Sequence, residues 1–152
     1  MATYSTAGLL TGDKLMIYIK TGSPAETTTP IAFGTNCSIE ITADTIDTSN
    51  KMSGNWKEYL TGQLGYTVSC DSLLSFTTGH MSFTKLKELM VARVPVTFLM
   101  SQPSTDGNYT NTTDYVTGSA VITSLTLNAN NGEICNCSIQ MQGSGELADA
   151  EE

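Results

Sequence analysis

Asn36-Cys37-Ser38-Ile39-Glu40-Ile41-Thr42-Ala43-Asp44 alternates without a fault: Cys37, Ile39, Ile41 and Ala43 fall on one side, Ser38, Glu40, Thr42 and Asp44 on the other. A period of two marks a strand with one face on a core and the other in water. Similar runs lie on either side of it. Lys14 to Lys20 puts Leu15, Ile17 and Ile19 on one face, and Leu64 to Asp71 sets Leu64, Tyr66, Val68 and Cys70 against Thr67, Ser69 and Asp71. Glu133 to Gln142 sets Cys135, Cys137, Ile139 and Met141 against Ile134, Asn136, Ser138 and Gln140. Ile31 to Phe33 and Val96 to Met100 read as short strands and Tyr115 to Leu127 as a long one, with a hairpin turn at Asn130-Asn131-Gly132. One stretch has the helical period instead: Ser82 as N-cap, then Phe83, Leu86, Leu89 and Met90, to about Arg93 before Pro95. Strands, one helix, then strands predict a mainly β fold, an antiparallel β-sandwich or open barrel with one flanking α-helix.

The remaining segments set the domain plan. Residues 1–12 read as an N-terminal arm, 13–145 as one β domain closed at Gly143-Ser144-Gly145, and 146–152 as a mobile acidic tail. Thr21 to Pro30 and Ser101 to Asp114 carry the Gly, Pro and Asp punctuation of loops. Residues 45–65 form the odd segment: the period breaks and glycines enter, yet Met52, Trp56, Tyr59 and Leu60 are present. Long loops in compact domains are uncommon and are usually functional.

At 152 residues the chain is one domain's worth, able to hide roughly 70% of its unfolded surface. The 24 Thr and 15 Ser favour strands, and only 14% of residues are charged, with a net charge of −8. No apolar run approaches the ~18 residues of a membrane span, and no membrane binding is expected. No basic segment followed by an apolar block opens the chain, so a reducing compartment with free thiols is expected. Cys37, Cys70, Cys135 and Cys137 then serve as small hydrophobes, since Cys135-x-Cys137 has the wrong spacing for zinc. The four glycosylation sequons are discounted as accidents of a Ser/Thr-rich chain. A single His80 leaves little for acid–base chemistry, and nothing pairs Asp44 with Asp71 as hydrolytic carboxylates. The chain reads as a non-enzyme without metal or cofactor.

The polar strand faces carry the functional reading. Ser38, Glu40, Thr42 and Asp44, with Thr67, Ser69 and Asp71 and with Asn136, Ser138, Gln140 and Gln142, contain hydroxyls, amides and carboxylates but no Lys or Arg. Solvated faces usually mix both charge signs. An anionic face free of cations suits a channel through which a polyanion passes without sticking, because no counterion release holds it there. One chain has too few strands for a water-filled lumen, so subunits would have to share the barrel, edge to edge around a ring.

The run Asp47-Thr48-Ser49-Asn50-Lys51-Met52-Ser53-Gly54-Asn55-Trp56-Lys57-Glu58-Tyr59-Leu60-Thr61-Gly62, followed by Tyr66-Thr67-Val68-Ser69-Cys70-Asp71, resembles the core of the major tail tube proteins of tailed bacteriophages, the TP901-1-like group. Asn55 interrupts the Gly-Trp adjacency usual there. That group is itself related to the tube protein of type VI secretion. The resemblance implies a subunit that forms six-membered rings, stacked into a tube that carries DNA, with the inner strands joined into one barrel. It implies a virion-tail location after assembly in the host cytoplasm, and tape-measure, terminator and baseplate proteins as partners. Lys51, Met52, Trp56, Lys57, Tyr59 and Leu60 would meet neighbouring subunits, and Ser38, Glu40, Thr42, Ser69, Asp44 and Asp71 would line the lumen. Two other readings stay open: a tube subunit of a contractile injection machine, and a monomeric β-sandwich binding module. A simpler place for Trp56 is against its own core.

Overall fold

In the computed structural model, which describes residues 12, 15–21, 27–31, 34–74, 81–103 and 111–149, seven strands and one helix follow one another. They are β1 (Met16–Thr21), β2 (Thr27–Pro30), β3 (Gly34–Asp47), β4 (Tyr59–Leu73), α1 (Phe83–Val91), β5 (Val96–Pro103), β6 (Asn111–Asn128) and β7 (Asn136–Asp149). The seven strands make one sheet in the order β2-β1-β5-β6-β7-β4-β3, antiparallel at every pairing. β1 also approaches β3 across the interior, where the Ile17 amide meets the Cys37 thiol. The sheet is therefore curled on itself: the open-barrel form of the expected fold, with a helix at its side.

The concave side holds the core. Ile17 and Ile19 of β1, Val68 and Cys70 of β4, Phe98 of β5, Ile122 of β6, and Ile139 and Met141 of β7 pack there, together with Leu86 of α1. Leu86 is the buried residue of the helix, Phe83 and Leu89 pack partly against the core, and Met90 is exposed despite its helical spacing. Ser82 has the extended backbone of an N-cap but makes no side-chain cap bond. The helix closes at Arg93, whose amide donates to the Met90 carbonyl at 3.1 Å and whose φ of 56° turns the chain so that the Val94 amide reaches the Leu89 carbonyl at 3.5 Å.

One close approach fixes how β4 crosses the sheet. The Tyr66 ring lies over the backbone of Gly143, where an added Cβ would overlap it, and Tyr66 Oη donates to the Ser119 carbonyl at 2.6 Å. The ring also tilts against Phe98, 5.9 Å between centroids. Gly143 is thus a mid-strand contact that needs bare backbone, not the end of the domain.

Several element boundaries differ from the sequence reading. β2 lies within the expected loop 21–30; its threonines pair with β1, and Pro30 ends the edge strand where no donor is required. Ser101–Pro103 and Asn111–Asp114 pair with each other although their sequences carry no apolar alternation to announce them. β7 runs past Gly145 to Asp149 because β6 continues beside it, with Val116 opposite Asp149 and Leu147 packed on the core. The segment 45–65 is a loop only at 48–58, for β3 extends to Asp47 and β4 begins at Tyr59. Ile31 makes a single bridge to Met81. Residues 32–33, the arm apart from Gly12, His80, residues 104–110 and residues 150–152 lie outside the described residues.

Candidate functional site

Register brings the polar faces of separate strands into one surface. Asn36 lies opposite Asp71, which lies opposite Ser138, which lies opposite Thr126. The next rows are Ser38–Ser69–Gln140–Ser124 and Glu40–Thr67–Gln142–Val121. Four adjacent strands, β3, β4, β7 and β6, therefore present a wall about 14 Å wide at the usual strand spacing. Side-chain bonds tie it down: Gln142 Nε2 donates to the Tyr66 carbonyl at 3.1 Å, Thr123 Oγ1 to the Gln140 carbonyl at 3.2 Å and Thr35 Oγ1 to the Asp71 carbonyl at 3.2 Å. Glu40, Thr42, Asp44 and Asp71 are exposed, while Ser69 and Thr67 are half-buried.

These four strands contain no Lys, Arg or His, yet carry Glu40, Asp44, Asp47, Asp71, Asp114, Glu146 and Asp149. The described cations sit elsewhere: Lys20 on β1, Lys51 and Lys57 at the β3–β4 hairpin tip, Lys85 and Lys87 on α1, and Arg93 after it. Charge is segregated by element. Asp44 and Asp71 are not a pair, because Asp71 sits opposite Asn36 and the step from there to Asp44 is about 26 Å of strand. Catalytic carboxylates of glycosidases stand about 5–9.5 Å apart.

The β3–β4 hairpin outruns the core beneath it. Ile41, Leu64, Ile46 and Leu60 are 61%, 73%, 55% and 61% exposed. Ile41 and Leu64 keep the sidedness read from the sequence, but that side has no core left to meet. Between Ala43–Leu64 and Thr45–Thr61, β4 advances three residues to two on β3, a bulge next to Gly62 and Asp44. Beyond it Ile46 faces Leu60 and Asp47 faces Tyr59.

The tip is held by its own hydrogen bonds. The Thr48 amide donates to the Glu58 carbonyl at 2.9 Å, the Glu58 amide to Ser49 Oγ at 2.9 Å, and the Met52 amide to Asn50 Oδ1 at 2.7 Å. The Ser49 hydroxyl and amide hold the Asp47 carboxyl below its ordinary range. On this built loop Met52 is 94% and Trp56 83% exposed, with Lys51 and Lys57 exposed beside them and Tyr59 half out at 51%. Trp56 does not fold back onto its own core.

Two backbone edges flank the polar wall. Among the described residues β3 pairs only with β4, so its other side is open along its length. It carries no Pro or Lys to blunt that edge. Among the described residues β5 stops pairing with β6 at Val96–Ala120, which leaves Val121–Asn128 strand-paired on the β7 side alone. The second edge went unnoticed in the sequence, although its signal was there: the run 115–127 is far longer than the run 96–100 it must accompany.

A β-rich structural subunit, polar on one wall and unfinished along two edges, is the class these features define. The phage tail tube protein family model matches residues 10–149, and the chain belongs to that family. No curated protein sequence matches it. Among solved structures it is similar to the tail of an empty gene transfer agent particle refined with C6 symmetry (18% identity, TM-score 0.75, 94% of this chain and 100% of that one). It is also similar to the SPP1 tail tube (12%, 0.72, 94% and 80%) and to a chain of the sheath–tube complex of an extracellular contractile injection system (15%, 0.59, 97% and 99%). At these identities the likeness is one of fold.

Proposed function

We propose that copies of this chain join edge to edge into closed rings, that the rings stack into the tail tube, and that the polar wall lines a conduit for DNA. The observation that carries the reading is the pair of open edges on either side of a four-strand wall without a cation. Four is an even number, so β3 of one copy set against Val121–Asn128 of the next continues the antiparallel alternation without a break. Such head-to-tail contacts close into a ring when the rotation allows. Six copies, as in the C6 tail of the gene transfer agent, give about 24 strands, beyond the 16–18 that already enclose water in porins.

In that ring Ser38, Glu40, Thr42, Asp44, Ser69 and Asp71 face the lumen, where the carboxylates of Glu40, Asp44 and Asp71 repel phosphate. Outside, the hairpin supplies Met52, Trp56, Tyr59 and Leu60 as apolar anchors for a neighbouring subunit or ring, and Lys51 and Lys57 meet its carboxylates. Aromatic anchors of this kind dominate interface energy, while exposed ion pairs set register and encounter. The role is structural rather than catalytic. Tape-measure, terminator and baseplate proteins are its further partners, and the virion tail, built in the host cytoplasm, its location.

Hydrogen exchange tests the edges. On going from dilute to assembled protein, amides of β3 and of Val121–Asn128 should gain protection while those of β5 stay unchanged. Equal protection of these edges in dilute and assembled protein would contradict the pairing.

A further inference from the structure

We propose that Cys37 and Cys70 are a modification site: two opposed thiols that a low-molecular-weight disulfide such as oxidised glutathione converts into a cross-strand bond, tying edge strand β3 to β4. The inference needs only the fold of one chain and stands apart from the assembly reading.

The geometry is already close to that of the product. Cys37 and Cys70 are direct cross-strand partners, and their Sγ atoms lie 2.7 Å apart with both thiols free. Residues opposite each other in an antiparallel pair have Cα atoms about 4.5–5.5 Å apart, inside the roughly 4.4–6.8 Å that a disulfide spans. Bond formation asks the sulfurs to close by about 0.7 Å, to near 2.05 Å.

The two thiols are not equivalent. Cys37 is half-buried and opens on a cavity of about 530 Å³ that Gly34, Leu15, Ile39 and Met100 also line, whereas Cys70 is buried. Gly34 lies beside the pair and puts no side chain over it. Contact with the Cys70 thiol and a hydrogen bond from the Ile17 amide hold the Cys37 thiol below its ordinary value. The hydrogen bond to Cys37 and burial keep Cys70 protonated. As the thiol that opens on the cavity, Cys37 is the attacking sulfur and buried Cys70 the resolving one.

In the first step the Cys37 thiolate attacks one sulfur of oxidised glutathione, breaking its S–S bond and expelling one glutathione thiolate. Cys70 then gives up its proton, which that thiolate takes, and attacks the Cys37 sulfur of the mixed disulfide to release the second glutathione. Two protein thiols are oxidised to one disulfide, and one glutathione disulfide is reduced to two thiols. Inside a reducing cell the equilibrium favours the dithiol, and outside it the bond.

The test uses the purified full-length chain, equilibrated with excess oxidised glutathione, alkylated in denaturant and digested. Two of the four thiols should be lost, a peptide joining Cys37 to Cys70 should appear, and dithiothreitol should restore all four. Cys70→Ser should leave a stable glutathione adduct on Cys37, and Cys135→Ser should leave the cross-link intact. Four thiols surviving in the wild-type chain, or links at Cys135–Cys137 or between chains in place of Cys37–Cys70, would overturn the proposal.

Discussion

Trp56 and Gly143 represent opposite kinds of position, and their variants should separate assembly from folding. Trp56 stands on a self-bonded loop at 83% exposure, so Trp56→Ala should leave circular dichroism and the melting temperature of the monomer unchanged. In the assembled state it should cost about 2 kcal/mol or more per contact, shifting the sedimentation profile to monomers or loose rings. Gly143→Ala should do the reverse. The new methyl overlaps the Tyr66 ring, itself locked by its hydroxyl bond to Ser119, so the ring cannot swing away cheaply. Overpacking of this kind costs about 1–3 kcal/mol, or roughly 2–4 °C of melting temperature per kcal/mol for a chain of this size. A melting temperature unchanged by Gly143→Ala would mean that Tyr66 is not seated as described.

At the scale of elements, the β3–β4 hairpin is the part that leaves the most apolar surface exposed, and the proposed assembly assigns it to a neighbour. Replacing residues 49–57 by a two-residue Asn-Gly turn removes no described buried side chain and should leave the core folded by near-ultraviolet dichroism. The shortened protein should fail to form particles at concentrations where the parent does, and particles of normal stability would show that the tip makes no contact. This hairpin also marks how far the sequence could be read. Alternation alone assigned the two faces of β3, β4 and β7, because one face of each is buried and a slip of one residue would invert it. It could not show that the arm continues to Asp47 and resumes at Tyr59, since the bulge beside Gly62 breaks the period where the core ends. Strands built from polar residues, such as β2 and the first residues of β6, left no apolar signal. The exposed apolar side chains of the hairpin were legible by composition, as Trp, Tyr and Met on a glycine-bearing loop. The order of strands, and hence the two open edges, depends on distant pairings that no local pattern encodes.

For the whole molecule, charge segregation is the feature to perturb. Glu40, Asp44 and Asp71 lie on one wall without a described cation, exposed and away from the core. The triple change Glu40→Lys, Asp44→Lys and Asp71→Lys should spare folding of the monomer but slow or stall genome passage, since each lysine adds a phosphate contact whose counterion release favours retention. Raising the salt should relieve the block in an ejection assay, and unimpaired ejection at low salt would place these side chains outside the conduit. The edges beside that wall have hydrogen-bonding backbone on offer among the described residues, and the hairpin displays Ile41, Ile46, Leu60 and Leu64 exposed.

Electron microscopy of the purified chain across a concentration series bears on this most directly. Annuli at intermediate concentration and hollow rods of uniform bore at high concentration are the predicted result. A population that stays monomeric into the millimolar range, with no ring at any concentration, would contradict it.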